Sequence, residues 1–239
     1  MILLNKKRIL FISLSIVISI LYSSIYDFVK KDTIYVSSTP LSNHSIILDA
    51  GHGIPDGGAI SQDGEIIEST LNLQLVLKLQ NLLESSNCNV ILTRSDENGI
   101  YEIDSKTIKE KKISDMKNRA KIANNSNAEA FISIHMNKLN ESKYSGWQTF
   151  YKNKDEKSKK LAQNIQSSLN SFMKINNSRQ IKSISNIYLT SHVKIPFVIV
   201  ECGFLSNPEE AHLLSSEDYQ NNLAWSIFIG IMDYFKDWL

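Results

Sequence analysis

Three apolar runs in the chain each lead into a side chain that can bind a metal or transfer a proton. These side chains are His52, His135 and Glu201. Apolar runs rich in β-branched residues and bounded by turn residues predict buried strands. The carboxyl ends of parallel strands lie along one edge of an open α/β sheet, where ligands bind, so we predict that two imidazoles and a carboxylate meet there. The runs are Ser45–Ala50, Ala130–Ile134 and Ile195–Val200.

Segments with helical periodicity lie between the predicted strands. Leucines at positions 71, 75, 79 and 82 recur about once per turn, which predicts an amphipathic helix from Glu68 to Glu84. Strands and helices alternate, so we predict an α/β fold with a mostly parallel, twisted sheet flanked by helices in a single domain. The other predicted elements are strands 89–94 and 146–151 and helices 113–124, 157–172 and 216–239.

The N-terminus carries a membrane signal. Three basic residues precede a charge-free segment, Ile9 to Tyr26, of about the length that crosses a bilayer as a helix. We favour an uncleaved anchor, and a cleaved secretory signal stays open as the alternative. Either reading places the folded domain outside the cytoplasmic membrane. The predicted division is an anchor or signal over 1–30, a Ser/Thr-rich linker over 31–44 and a catalytic domain over 45–239.

Composition and cysteine positions narrow the class of protein. The 239 residues are 42% hydrophobic and 21% charged with a net charge of +1, which is typical of a globular protein. This near-neutral balance gives no support to nucleic-acid binding. Cys88 precedes the second predicted strand and Cys202 follows the last, at opposite edges of the sheet. A strand of roughly 17 Å separates those edges, so we expect no disulfide.

The predicted cluster suits catalytic zinc chemistry. Two imidazoles and a carboxylate form a recurrent zinc site that leaves a position for water. Amide hydrolysis also needs a group that takes a proton from water and returns it to the departing amine. We assign His52, Glu68 and His135 to one Zn²⁺ per chain and Glu201 to the proton transfer. Spacing alone leaves the roles of Glu68 and Glu201 interchangeable, and a helix dipole would also explain an acid at position 68.

A series of ordered motifs strongly resembles the zinc-dependent N-acetylmuramoyl-L-alanine amidases of the Amidase_3 type. The resemblance runs from Ser45 to the C-terminus. It implies that Glu68 is a zinc ligand, that Glu201 is catalytic, and that the substrate is peptidoglycan, cut between muramic acid and L-alanine. The motifs are Asp49–Gly53, Gly57–Ala59, Glu68, Asn72–Leu73, Thr93–Arg94, Arg119, Ala123–Asn124, Ser133–His135, Asn137 and Glu201–Asn207.

The arrangement of a membrane segment and a bare catalytic domain looks most like the CwlD-type amidases of endospore formers. These remove stem peptides during formation of muramic lactam in the spore cortex, which germination requires. The resemblance implies a location at the outer face of the cytoplasmic membrane or, in a spore former, in the intermembrane cortex space. It leaves open whether an accessory protein is needed. The chain departs from the family at Ile54, where glycine is usual, and at Met136, where a small residue is usual.

Two other functions remain as alternatives. One is a non-catalytic peptidoglycan-binding module on an amidase scaffold, although all four key positions are filled. The other is a glycoside hydrolase that uses Asp49 or Asp56 with Glu201, which leaves both histidines without a role.

Two segments are predicted to be surface loops. The charged stretch 95–112 is expected to hold nothing catalytic, and 173–193 is expected to border the groove at most. Arg119 is expected to form a structural salt bridge to Asp96 or Asp115.

Overall fold

The computed structural model describes residues 14–23 and 39–236. Residues 14–23 form helix α1, whose apolar side chains are exposed. Nowhere in these two ranges is a helix both long enough and apolar enough to cross a membrane. The remainder of the predicted span 9–26 lies outside the described residues, as does the linker over 31–38.

The compact unit begins at Thr39, earlier than the predicted boundary at Ser45. The Thr39 hydroxyl donates a hydrogen bond to the carbonyl of Ser86 at 2.5 Å. Leu41 is completely buried among core residues. Residues 39–44, predicted as linker, therefore belong to the folded domain, because burying Leu41 removes its apolar surface from water.

The domain is a single α/β unit around a six-stranded sheet of order β2-β1-β3-β6-β4-β5. Strands β2, β1, β3 and β6 are parallel, while β4 pairs antiparallel with β6 and parallel with β5. The sheet is thus mixed at one edge and not parallel throughout. The strands are β1 (Ser45–Ala50), β2 (Asn89–Leu92), β3 (Ala130–Asn137), β4 (Gln148–Lys152), β5 (Lys182–Ile184) and β6 (Phe197–Phe204).

Helices cover both faces of this sheet, as predicted. Alternate residues of β1 separate the two layers: Ile46 and Leu48 pack in the larger core, whereas Ile47 packs in the smaller one. The larger core receives α2, α4, α6 and α7, and the smaller core receives α3 and α5. The helices are α2 (Glu68–Glu84), α3 (Ile108–Asn125), α4 (Glu156–Phe172), α5 (Tyr188–His192), α6 (Pro208–Ser215) and α7 (Glu217–Lys236).

Helix α3 begins five residues before its predicted start. Thr107 caps it, since its hydroxyl accepts a hydrogen bond from the Glu110 amide while the Glu110 carboxylate accepts one from the Thr107 amide. This Thr-x-x-Glu capping box was present in the sequence as a helix-start signal. The prediction of a loop to residue 112 was therefore wrong, and the first turns of α3 lie beside the site described below.

The start of α6, the two cysteines and the segment 173–193 can also be compared with the sequence. Asn207 caps α6 by accepting a hydrogen bond from the Glu210 amide, with Pro208 at the first helical position. Both cysteines are buried and free, as predicted. The segment 173–193 was predicted as loop, yet it contains β5 and α5.

Candidate metal centre

The structure brings together three of the side chains singled out in the sequence. His52, Glu68 and His135 each offer a ligand atom, and these atoms lie within 4.8 Å of one another. His52 Nε2 is 3.2 Å and His135 Nδ1 is 2.9 Å from the same oxygen, Glu68 Oε1. We call these three residues the metal group.

Glu68 is placed by the first turn of α2, where it is buried. Its Oε2 accepts a hydrogen bond from the Ala59 amide at 2.7 Å, and its Oε1 accepts one from the Met136 amide at 3.1 Å. Burial by itself would raise the pKa of Glu68. Hydrogen bonds with His135 and His52 outweigh burial and hold the pKa well below its usual range, so the carboxylate is ionised and faces both imidazoles.

His52 follows β1 in a left-handed backbone conformation, with a φ of 62°. A left-handed backbone is energetically unfavourable for a residue with a side chain. It persists only where contacts with the surrounding structure hold the residue in place. The Arg119 guanidinium donates to the His52 carbonyl at 2.5 Å, and His52 Nδ1 lies 3.0 Å from Asp56 Oδ2. Although burial lowers it, the pKa of His52 is raised to about 9 by Asp56 and Glu68.

Two glycines leave room for the metal group. A Cβ on Gly51 would collide with the ring of His135. Gly58, at a φ of 71°, packs against both the Glu68 carboxylate and the His52 ring. A side chain at either position would displace a member of the metal group. Glycine is therefore required at both positions for steric reasons.

Beneath the metal group lies a cluster of buried polar residues that we call the arginine network: Asp49, Thr93, Arg94, Arg119 and Ser133. Asp49 pairs with Arg119 and accepts hydrogen bonds from the Thr93 and Ser133 hydroxyls at 2.7 and 2.5 Å. Burial alone would raise the pKa of Asp49, but Arg119 and the two hydroxyls lower it below its usual value. The Asp49 carboxylate and the Arg119 guanidinium therefore neutralise each other inside the cluster.

The two guanidinium groups of the arginine network hold the loop that carries His52. Arg94 donates to the carbonyls of Ala50 and Gly51 at 2.9 and 3.1 Å. Arg119 donates to the carbonyl of Ala50 at 2.8 Å, in addition to that of His52. Three successive carbonyls, beginning with that of the last residue of β1, are thus fixed by Arg94, two residues beyond β2, and by Arg119 of α3.

The predicted salt bridge of Arg119 is confirmed for one of its two candidate acids. Arg119 Nε donates to Asp115 Oδ2 at 2.5 Å, one helical turn away. Asp96 instead accepts a hydrogen bond from Arg94 through its backbone carbonyl. The pairing with Asp49 was not predicted.

Glu201 lies beside the metal group on the neighbouring strand, where its Cα is the register partner of that of His135. Strand β6 runs on to Phe204, so Glu201 sits within the strand and not at its end as predicted. Among the residues that the structure describes, Glu201 Oε2 is the one buried carboxylate oxygen without a hydrogen-bond partner. Burial raises the pKa of Glu201 to about 7, against the lowering effect of the His135 charge.

A cavity of about 360 Å³ opens from the metal group toward α3 and α5. His52, His135 and Glu201 line it, and Asp49, Ser133 and Ile199 of the sheet also face it. The stretch 95–112, which was expected to hold nothing catalytic, the later part of α3 and the segment around α5 contribute the following side chains: Tyr101, Ile108, Lys111, Lys112, Met116, Ile187 and Leu189.

Asp56 and Lys112 form a contact that the sequence analysis missed. Asp56 Oδ2 faces His52, and Asp56 Oδ1 pairs with Lys112 Nζ at 2.9 Å. Although burial would raise it, bonds from His52 and Lys112 hold the pKa of Asp56 well below its usual range. The glycine-rich loop that places Asp56 four residues after His52 is evident in the sequence, whereas the partner of Asp56 on α3 is not.

The donor set of the metal group fits zinc. Nitrogen and oxygen ligands about 2.0–2.2 Å from a tetrahedral zinc are separated by roughly 3.3–3.6 Å. The observed separations of 2.9 and 3.2 Å from Glu68 Oε1 lie close to that spacing. His52 also shows the outer hydrogen bond to a carboxylate that orients metal-binding histidines.

Comparisons with known proteins agree with this geometry. The family described as N-acetylmuramoyl-L-alanine amidase matches residues 46–233. The germination-specific N-acetylmuramoyl-L-alanine amidase of Bacillus subtilis (strain 168) is 38% identical over 212 residues, which cover 89% of this chain and 88% of that protein.

Solved structures give the same answer. The CwlD amidase from Clostridioides difficile, determined in complex with the GerS lipoprotein, is 45% identical with a TM-score of 0.80, covering 82% of this chain and 100% of that one. An N-acetylmuramoyl-L-alanine amidase from Clostridium difficile 630 is 32% identical with a TM-score of 0.70, covering 81% and 97%. The resemblance to CwlD-type enzymes is thereby confirmed, and the chain belongs to the N-acetylmuramoyl-L-alanine amidase family.

Proposed function

We propose that this amidase is a zinc hydrolase that cuts the amide bond between N-acetylmuramic acid and L-alanine of peptidoglycan, with Glu201 as the group that moves the proton. The observation that carries the proposal is the arrangement of the metal group next to Glu201, whose buried Oε2 has no hydrogen-bond partner in the part of the chain that the structure describes. Zinc, when bound, supplies a Lewis acid that activates water and polarises the scissile carbonyl.

His52, Glu68 and His135 are the residues that would hold the zinc. Glu68 is kept ionised and in place by the amides of Ala59 and Met136. Asp56 orients the His52 ring through Nδ1, so that Nε2 faces Glu68. The arginine network supports the same loop from below. The ligands are therefore positioned before substrate arrives, which lowers the cost of assembling the site.

Glu201 has the properties of the general base and acid. Its Oε2 is buried and receives no hydrogen bond from residues 14–23 or 39–236, so no donor in those ranges competes for it. Burial, which raises the pKa of Glu201 above its ordinary value, makes this carboxylate a better acceptor for the proton of the attacking water, which it then passes to the departing alanine nitrogen. The carboxylate lies on the strand next to His135, within the same cavity wall.

The geometry argues against the glycoside-hydrolase alternative. That chemistry needs a second free carboxylate opposite Glu201. Asp49 is enclosed by Arg119, Thr93 and Ser133, and Asp56 is bound to His52 and Lys112. Neither acid is available to a sugar ring. A non-catalytic binding module would have no use for an unpartnered Glu201.

We further propose that the enzyme acts in the spore cortex and serves germination. The similarity to the germination-specific amidase of Bacillus subtilis supports this role. The complex of the similar CwlD amidase with a lipoprotein supports an accessory protein for this chain as well. The charge-free segment 9–26 is the basis for proposing that residues 1–30 hold the domain at the outer face of the cytoplasmic membrane, joined by a linker that ends before Thr39.

The test is digestion of purified peptidoglycan by the purified protein, with zinc measured per chain. We expect about one zinc ion per chain, release of peptides with a free N-terminal alanine, and loss of release after treatment with a chelator. Mass spectrometry would oppose the proposal if it showed shortened glycans with peptides still attached. Zinc-loaded protein that binds peptidoglycan without releasing peptides would favour a binding module.

A further inference from the structure

The cavity next to the metal group has a mixed lining. His52, His135 and Glu201 line it together with apolar side chains of α3 and of the segment around α5, among them Ile108, Met116 and Leu189. An apolar wall accommodates methyl and methylene groups and excludes water from them. The cavity is therefore suited to one half of an elongated substrate.

Three lysine and arginine side chains line this cavity, and two of them already form ion pairs with carboxylates. Arg119 is paired with Asp49 and Asp115. Lys112 is paired with Asp56. Lys111 is different: among the described residues no carboxylate lies within ion-pair distance of its ammonium group, which sits 4.6 Å from the centre of the Tyr101 ring.

Lys111 contacts an aromatic side chain. The residue is half-buried on the first turns of α3, and the Tyr101 ring beneath its ammonium group is half-buried as well. A cation held over an aromatic face keeps its charge and still offers hydrogen bonds to an incoming anion. Lys111 thus places an ammonium group on the cavity wall, and no carboxylate of residues 14–23 or 39–236 pairs with it.

The two halves of the substrate differ in charge. On the sugar side of the scissile amide the muramoyl group is neutral, because its carboxyl is the acyl part of that amide. On the other side the stem peptide carries free carboxylates, beginning with the acidic residue that follows L-alanine. Complementary charge favours the peptide half beside Lys111.

We propose that this cavity is the stem-peptide subsite of the enzyme, and that Lys111 determines specificity by pairing with the carboxylate of the residue after L-alanine. The apolar wall receives the alanine methyl group and the methylenes of that residue, and the glycan leaves the metal group in the opposite direction. This inference rests on the proposed amidase function and extends it to the side of the cavity that binds the leaving peptide.

The test compares two soluble substrates that differ by one charge: N-acetylmuramoyl-L-alanyl-D-glutamic acid and the same compound with D-isoglutamine. We expect the zinc-loaded wild-type protein to show a KM about fivefold lower for the acid, the size of one partly exposed ion pair, with a similar kcat for both. Lys111→Met should abolish the difference, and Lys111→Glu should reverse it.

Lys109→Glu is the matched control. It makes the same charge change on the same helix at an exposed position that does not line the cavity. We expect it to retain the wild-type preference. Zinc content and thermal unfolding are measured for each variant, and if Lys111→Glu fails to fold, Lys111→Met carries the comparison.

The failures of the two proposals can be told apart. If the wild-type protein cleaves both substrates and the ratio of KM values is the same in Lys111→Glu and Lys109→Glu, the subsite is wrong while the amidase function stands. If the zinc-loaded wild-type protein cleaves neither substrate and releases no peptide from peptidoglycan, the amidase function fails and the subsite falls with it.

Discussion

The arginine network and the cavity above it are neighbouring parts of one sheet edge, but they differ in whether their charged groups have partners. In the network, Asp49 and Arg119 are buried and each has several partners. In the cavity, Glu201 Oε2 has no hydrogen-bond partner and Lys111 has no acid among the described residues. Partnered charges fix geometry, whereas unpartnered charges remain free to act on a ligand.

The difference separates residues whose loss should change folding from residues whose loss should change chemistry. Asp56 stands between the two groups, because it touches a metal-group histidine on one side and an exposed lysine on the other. Four substitutions test this division between structural and chemical roles.

Replacing Glu201 by Gln should reduce kcat/KM for peptide release by about 10²- to 10⁴-fold, because it removes the proton-transfer group. Zinc content should remain that of the wild type, since the metal group is unchanged. Glu209→Gln is the control, because Glu209 is exposed at the start of α6. Peptide release by Glu201→Gln at the wild-type rate would remove Glu201 from the mechanism.

Replacing Arg119 by Leu should lower the free energy of unfolding by about 3–5 kcal/mol, because Asp49 would be left as an uncompensated buried charge. The measurement is urea denaturation. Lys121→Leu, an exposed cation on the same helix, should stay within about 0.5 kcal/mol of the wild type. Equal stability of Arg119→Leu and the wild type would contradict a structural role for the network.

Replacing Asp56 by Asn should weaken zinc affinity by about 10- to 100-fold, the usual cost of losing a carboxylate that orients a histidine ligand. Competition with a coloured chelator measures the affinity. Asp63→Asn, at an exposed acid of the same loop region, should leave it unchanged. Unchanged affinity in Asp56→Asn would show that His52 does not depend on this contact.

Replacing Lys112 by Ala should have the smallest effect. Its side chain is 47% exposed, so its pair with Asp56 is screened by solvent, and its loss should weaken zinc affinity by at most about fivefold. The effect should shrink further at high salt. A loss as large as that of Asp56→Asn would show that the lysine, and not the histidine, is the important partner of Asp56.

Much of the site could be predicted because its residues follow local patterns. His52 and His135 come directly after or within apolar strands, and Glu68 opens a helix marked by leucine periodicity. The shared edge of parallel strands then brings them together. These patterns depend on neighbours in sequence, which a single chain displays.

Other features depend on contacts between distant segments, which periodicity does not encode. The pairing of β6 with β3 on one side and antiparallel with β4 on the other sets the surroundings of Glu201. The pairs of Arg119 with Asp49 and of Lys112 with Asp56 join α3 to the loop after β1. The contribution of the stretch 95–112 to the cavity wall was missed because this stretch is charged. A short charged segment is normally predicted to be exposed to solvent, and its sequence does not show which surface it packs against.

His135 and Glu201 are register partners on two hydrogen-bonded strands, and this pairing sets the distance between their backbones. Adjacent strands lie about 4.8 Å apart whatever their sequence, so the separation between a ligand backbone and the proton-carrier backbone is set by the sheet itself. A change in the loop that holds His52 therefore leaves the backbone spacing between His135 and Glu201 unaltered.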